Sequence, residues 1–216
     1  MAASAGTAAA PSHMVLSLDL REEMTDQRPA NPFASLGSGP ALLDVITRID
    51  AARTDARIDG IYIRAATQGI GAAQAEELRA ALAAFRASGK FVFAHLQGDG
   101  ARQSMAGYMA VAGADEIWVQ DASEFLPMGI SAESTFFADT LRRYHLAAQF
   151  ETRDEHKTAA NEFTQRALTP AHREQLNSLL NGLYDQMVAN IAADREIAPA
   201  QMRALVEGTP YTAQRA

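Results

Sequence analysis

A chain of 216 residues is long enough to bury a self-sufficient core, so neither disulfides nor a structural metal is required for folding. It contains no cysteine, which excludes disulfide frameworks, thiolate zinc sites and cysteine nucleophiles together while leaving the compartment open. A formal net charge of -7 with a pI near 5.2 argues against a nucleic-acid partner, which would show as a basic face or stripe.

Residues 1–14, MAASAGTAAAPSHM, are Ala-rich without a basic start or a long apolar block, and are expected to be a disordered linker preceding one domain over 15–216. Val15 to Leu20 alternates apolar and polar residues, the pattern of a half-buried strand. Arg28 to Pro40 holds three prolines with Gly and Ser and is expected as loop. From Ala41 to Ala52 the apolar residues Leu42, Val45, Ile46 and Ile49 recur at helical spacing, and the β-branched run Ile58 to Ile63 predicts a second strand. Ala75, Leu78, Leu82 and Phe85 form one face of the next helix, which Ser88-Gly89 ends before the strand Phe91 to Ala94.

A helix over Arg102 to Ala112, a strand at Ile117 to Val119, a helix over Phe136 to Tyr144 and a strand at Ala147 to Phe150 follow by the same reading. Strands alternating with helices predict a parallel sheet with right-handed crossovers. Beyond Arg153 no strand pattern remains. Thr169-Pro170 reads as an N-cap with proline at the first helical position, and Leu176, Leu179, Leu180, Leu183, Met187 and Ile191 make the apolar stripe of a long helix packed on the sheet domain or on a partner. No run of about 18 apolar residues occurs, so no segment is expected to span a bilayer as a helix, and the chain itself is expected to be soluble.

There are two lysines, Lys90 and Lys157, against 17 arginines. Lys90, at a helix-to-strand turn, is expected to be a solvated cation, and the same surface role is open to Lys157. A lysine becomes a general base only when desolvation lowers its pKa, and it can then replace the histidine of a serine triad. Ser104, in Gly98 to Tyr108, is a candidate nucleophile or a helix N-cap. Thr67 to Gly71 links a strand to a helix, where backbone amides could receive an oxyanion or could simply close a tight turn. The histidines His95, His145, His156 and His172 are dispersed and suggest no metal site. Tyr108, Tyr144 and Trp118 read as packing residues, since no basic residues interleave with them.

Taken in order, four segments resemble the signal peptide peptidase A family. Ile61-Tyr62-Ile63-Arg64 through Leu78 is similar to its strand, Gly-Gly turn and helix, with Gly69 and Ile70 on the glycines. Ser88-Gly89-Lys90-Phe91-Val92 resembles "SGKPV", Tyr108 to Val119 resembles "YYIASAADKIWA", and Glu155-His156-Lys157-Thr158-Ala159 through Thr169-Pro170 resembles "GxYKSA…MSP". The resemblance implies a ClpP/crotonase-like α/β core with a C-terminal helical arm, and a serine-lysine peptidase degrading cleaved signal peptides without a cofactor. It also implies Lys157 as general base and Gly69 and Ile70 at the oxyanion position.

Counting back from Ala114-Asp115-Glu116-Ile117 puts the family's nucleophile on Met105, one place from Ser104. Long forms of the family are tandem copies in which the first supplies the lysine and the second the serine, so this chain resembles a first copy. The ending Tyr211 to Ala216 resembles "YTGEQA", after which the family continues, and a fragment is expected. Further implications are a homo-oligomer and a membrane-anchored parent on the periplasmic side of a bacterial inner membrane. Two other readings stay open: a catalytically inactive, peptide-binding scaffold of the same fold, and a crotonase-like acyl-CoA enzyme.

Overall fold

In a computed structural model the described residues are 12–31, 39–65, 70–96, 103–121 and 123–216. The elements run β1 (Met14–Leu20), α1 (Leu42–Thr54), β2 (Ile58–Ala65), α2 (Ala72–Arg86), β3 (Phe91–Leu96), the two-residue strand β4 (Gln103–Ser104), α3 (Met105–Val111), β5 (Glu116–Val119), β6 (Glu124–Phe125) and β7 (Pro127–Met128). They continue with α4 (Ala138–Arg143), a 3-10 turn (Thr158–Ala160), α5 (Asn161–Thr164), α6 (Pro170–Asp194), α7 (Pro199–Glu207) and β8 (Tyr211–Thr212). The chain forms two compact units, one of residues 1–128 with 187–216 and one of residues 129–186. Most of the expected linker, residues 1–11, lies outside the described residues, as does most of the Arg28 to Pro40 loop.

The larger unit holds the expected parallel sheet, in the order β1-β2-β3-β5. Strands added in one direction under crossovers of one hand place their helices on one face, and α1, α2 and α3 do lie side by side. The register shows the result. Ile61 stands beside Val92, and Leu18, Ile63, Ala94 and Ile117 form the next row; Ile61, Ile63, Val92 and Ala94 are fully buried, as are Leu78 and Phe85 of α2. The opposite face carries Ser17, Tyr62, Phe93 and Glu116 in one row and Asp19, Arg64, His95 and Trp118 in the next. Among the described residues the core forms on one side of the sheet, which is why these strands alternate in sequence.

Two junctions hold helices to strands. Gly89 has φ +85°, the left-handed conformation that a helix-ending glycine adopts without a Cβ penalty. Lys90, expected in solvent, is half-buried instead: its ammonium donates to the carbonyls of Ala52 (2.6 Å) and Asp55 (2.7 Å) and lies 5.7 Å from the Phe85 ring centroid. A cation at the C-terminal carbonyls of α1 meets the favourable end of the helix dipole, which outweighs its preference for water.

At the second junction Asp115 accepts from Arg86 Nε (2.9 Å) and from the Val92 amide (2.8 Å), while its own amide donates to the Val92 carbonyl (2.9 Å). Burial opposes ionisation of Asp115, but the Arg86 hydrogen bonds and the Val92 N–H more than offset it, so the carboxyl titrates below its usual 3.8. A depressed folded pKa gives stability that is complete above the unfolded value and lost as pH falls through the folded one. Urea unfolding at about pH 6 and about pH 3 is therefore expected to show a larger loss on acidification for wild type than for Asp115→Asn. Equal losses would remove Asp115 from the acid transition.

Besides Lys90, the sequence expectations need five corrections. Ala147 to Phe150 is not a strand; Phe150 is exposed and stacks on Phe163 at 5.9 Å, so the ring is satisfied by a side-chain partner rather than by a ladder. A strand does occur beyond Arg153, because β8 pairs antiparallel with β6. The helix expected from Arg102 starts at Met105. Leu179 and Leu183 of the α6 stripe are 59% and 42% exposed, whereas Met187, Val188, Ile191 and Ala192 are buried. Trp118 and Tyr144 are 63% and 69% exposed, Trp118 on the uncovered sheet face with its indole N–H donating to Glu116. Among the described residues no helix is long and apolar enough to cross a membrane.

Candidate active site

In the larger unit, Ser104 ends β4 with extended backbone and caps α3: its Oγ accepts from the Gly107 amide at 3.0 Å. Capping is what serine does best at the first turn, where amides lack intrahelical partners. The helix that follows is almost entirely interior, with Met105, Met109 and Val111 at 1%, 1% and 0% exposure. Among the described residues no base is hydrogen-bonded to the Ser104 hydroxyl.

Of the proposed oxyanion pair, Gly69 lies outside the described residues and Ile70 is half-buried just ahead of the α2 cap. The capping amide, that of Gly71, is already taken by the Gln74 side chain at 3.0 Å. Gln74 in turn donates to Asp26 (2.7 Å) and to the Met24 carbonyl (3.3 Å), which ties the turn to the loop after β1.

Lys157 belongs to the smaller unit and is exposed, immediately before the 3-10 turn. Asp154 builds the turn that leads to it. Its carboxylate accepts from the His156 amide (2.9 Å), and its carbonyl accepts from the Lys157 amide (3.1 Å). The hydrogen bond from the His156 amide, with lesser help from the His156 side chain and nearby charges, holds the Asp154 carboxyl below its usual range against the desolvation that opposes it.

On the other side of Lys157, the Thr158 hydroxyl donates to Gln175 of α6 at 3.1 Å. The start of α6 is fixed as expected, with Thr169 Oγ1 accepting from the His172 amide at 3.2 Å. Phe137, Phe163 and Phe150 stack in a row beside this segment. Among the described residues the Lys157 ammonium makes no hydrogen bond and no ion pair within 4.0 Å.

The sequence-predicted residues are thus divided between the units: Ser104 and Ile70 in the larger, Lys157 in the smaller. Two residues of the Lys157 segment were missed. Asp154 could have been found, because an aspartate two residues before a backbone donor is the signature of an Asx turn. Gln175 could not, because its partner lies 17 residues away. The burial of His172, at 8% exposure with its ring against Phe136, was equally invisible in a polar-looking helix start.

Residues 84–216, which contain α3, its serine cap and the Lys157 segment, match the model of Peptidase family S49. The chain belongs to peptidase family S49. Its four-stranded parallel sheet with covering helices is the ClpP-like fold of that family. Curated relatives agree: over 82% of this chain it is 21% identical to "Serine protease SPPA, chloroplastic" of Arabidopsis thaliana, and over 78% it is 24% identical to "Protease 4" of Salmonella typhi. The chain covers 25% and 27% of those two proteins, about a quarter of each. Family S49 membership makes this part of a serine protease family; which residues carry the chemistry is a separate matter.

Proposed function

We propose that this chain is the base-bearing copy of a tandem serine-lysine peptidase, with Lys157 as general base and the nucleophilic serine supplied by a second copy of the fold. The observation that carries this reading is the state of α3. Ser104 is engaged as a cap, and the next position is the buried thioether of Met105, so the site where the family's nucleophile falls offers no activated hydroxyl. Lys157, by contrast, lies in the family-matched segment with an uncommitted ammonium.

In the assembled enzyme the second copy covers Lys157, desolvation removes its charge, and the neutral amine takes the proton of the attacking serine. Backbone amides, with Gly69 and Ile70 the candidates on this copy, receive the oxyanion. The substrates are extended apolar peptides of the signal-peptide kind, and the parent protein is membrane-anchored and homo-oligomeric. A peptide-binding scaffold without catalysis is the second reading, favoured by the exposure of Lys157 in this chain.

The test uses an apolar fluorogenic peptide. The purified chain is expected not to cleave it, and Ser104→Ala is expected to cost about 1 kcal/mol of stability as a lost helix cap while changing nothing in catalysis. Turnover by the chain alone, abolished by Ser104→Ala, would show a complete dyad and defeat the two-copy reading.

A further inference from the structure

We propose that the free edge of β1 is a peptide-binding site, separate from the Lys157 segment, that takes an extended apolar segment with basic flanks as a further strand of the sheet. Strand order leaves β1 at the end of the sheet, paired with β2 in unbroken register from Val15 to Leu20. Among the described residues no strand pairs with its other side. Alternate residues of a strand turn their amides and carbonyls to opposite sides, so every second residue of β1 presents an N–H and a C=O outward without a ladder partner. Sheet edges are normally guarded by proline, lysine or an inward-pointing charge. In β1, MVLSLDL, the one charged residue is Asp19, which stands on the open face and is engaged by Arg21 Nε at 2.8 Å.

A groove runs beside this edge. Burial falls off outward along the rows of the sheet: Ile61 and Ile63 of β2 are 1% and 0% exposed, while their β1 neighbours Leu16 and Leu18 are only half-buried. Leu16, Leu18, Val45, Ile49, Ala51 and Ile58 line a hollow of about 620 Å³ between β1 and α1. An added strand would place every second side chain on this side of the sheet. Unpaired backbone and apolar groove therefore select the same ligand, an extended peptide with apolar residues at alternate positions.

Charge complementarity sets the flanks. The charged residues along the groove are Asp19, Glu22 and Asp55 against Arg48. Arg21 holds Asp19, and Arg57 holds Asp55 at 2.6 Å, which leaves Glu22, exposed just past the end of β1, as the acidic group open to a ligand. A basic residue at the end of the apolar run meets it.

The probe is a fluorescein-labelled synthetic peptide of alternating leucine and threonine with a lysine at each end, titrated into the purified chain and read by anisotropy. Two further peptides carry backbone N-methyl groups, one on its leucines and the other on its threonines. One pattern removes the hydrogen bonds to β1 and is expected to bind at least about tenfold more weakly, whereas the other points its methyl groups away and is expected to stay within about twofold. Ala51→Arg, at an exposed position of α1, fills the groove without entering the core and is expected to weaken the unmodified peptide. Glu22→Gln is expected to weaken it about two- to threefold, the scale of one exposed charge pair. Circular dichroism confirms that both variants are folded. Absence of binding by the unmodified peptide, equal binding of the two N-methylated peptides, or an affinity unchanged by Ala51→Arg or by Glu22→Gln overturns the proposal. So does a dimer in light scattering that Ala51→Arg dissociates, because a second copy then covers the edge. Lys157 enters none of these measurements, so their failure is distinct from failure of the general-base reading.

Discussion

On the two-copy reading proposed above, Lys157→Ala is expected to lower peptide turnover about a thousandfold in the assembled peptidase. A positioned general base contributes roughly 10² to 10⁴ in rate, and a serine hydroxyl without a base is a weak nucleophile at neutral pH. What survives the substitution is the contribution of oxyanion donors and of substrate binding. On that reading the loss falls on kcat, with KM nearly constant, because a general base acts on the proton and not on the peptide. Lys157 is exposed in its own unit and no packing depends on its ammonium, so the variant folds, and unchanged circular dichroism beside the lost rate isolates the chemistry. Wild-type turnover in Lys157→Ala would exclude the lysine as base and leave the scaffold reading.

Phe85→Ala is expected to be the most damaging single truncation in the larger unit, at about 3–5 kcal/mol. The ring is fully buried, at 0% exposure, on the same α2 face as the buried Ala75, Leu78 and Leu82. A second loss adds to the cavity. The Lys90 ammonium sits over this ring while it closes the end of α1, so the truncation also removes one wall of the junction between α1, α2 and β3. Trp118→Ala, at a position 63% exposed, provides the contrast and is expected to stay within about 0.5 kcal/mol. Urea denaturation followed by far-ultraviolet circular dichroism measures both, since it does not depend on the single tryptophan. Comparable costs at the two sites would mean that Phe85 is not packed as described.

Local pattern determined much of this protein. The alternation in Val15 to Leu20, the helical spacing of Leu78, Leu82 and Phe85, and Thr169 ahead of Pro170 each encode an element through contacts a few residues apart, and each appears where its pattern puts it. Family membership was legible for the same reason, since the segments that resemble the family are contiguous runs. The capping role of Ser104 was one of the two readings that serine chemistry allows, and the Gly107 amide chose it.

Tertiary structure decided the rest, wherever the deciding partner is remote in sequence. Ala147 to Phe150 has the composition of a strand, but a strand exists only where another strand offers its backbone, and Phe150 found a ring instead. Lys90 left solvent because two carbonyls 35 and 38 residues away converge on it. Arg79 of α2 and Asp194 of α6, half the chain apart, form a mostly buried ion pair that no periodicity announces. The half-open face of the sheet is likewise a property of strand order: the sequence alternates polar and apolar residues along each strand, and only the crossovers decide which of the two faces the helices cover.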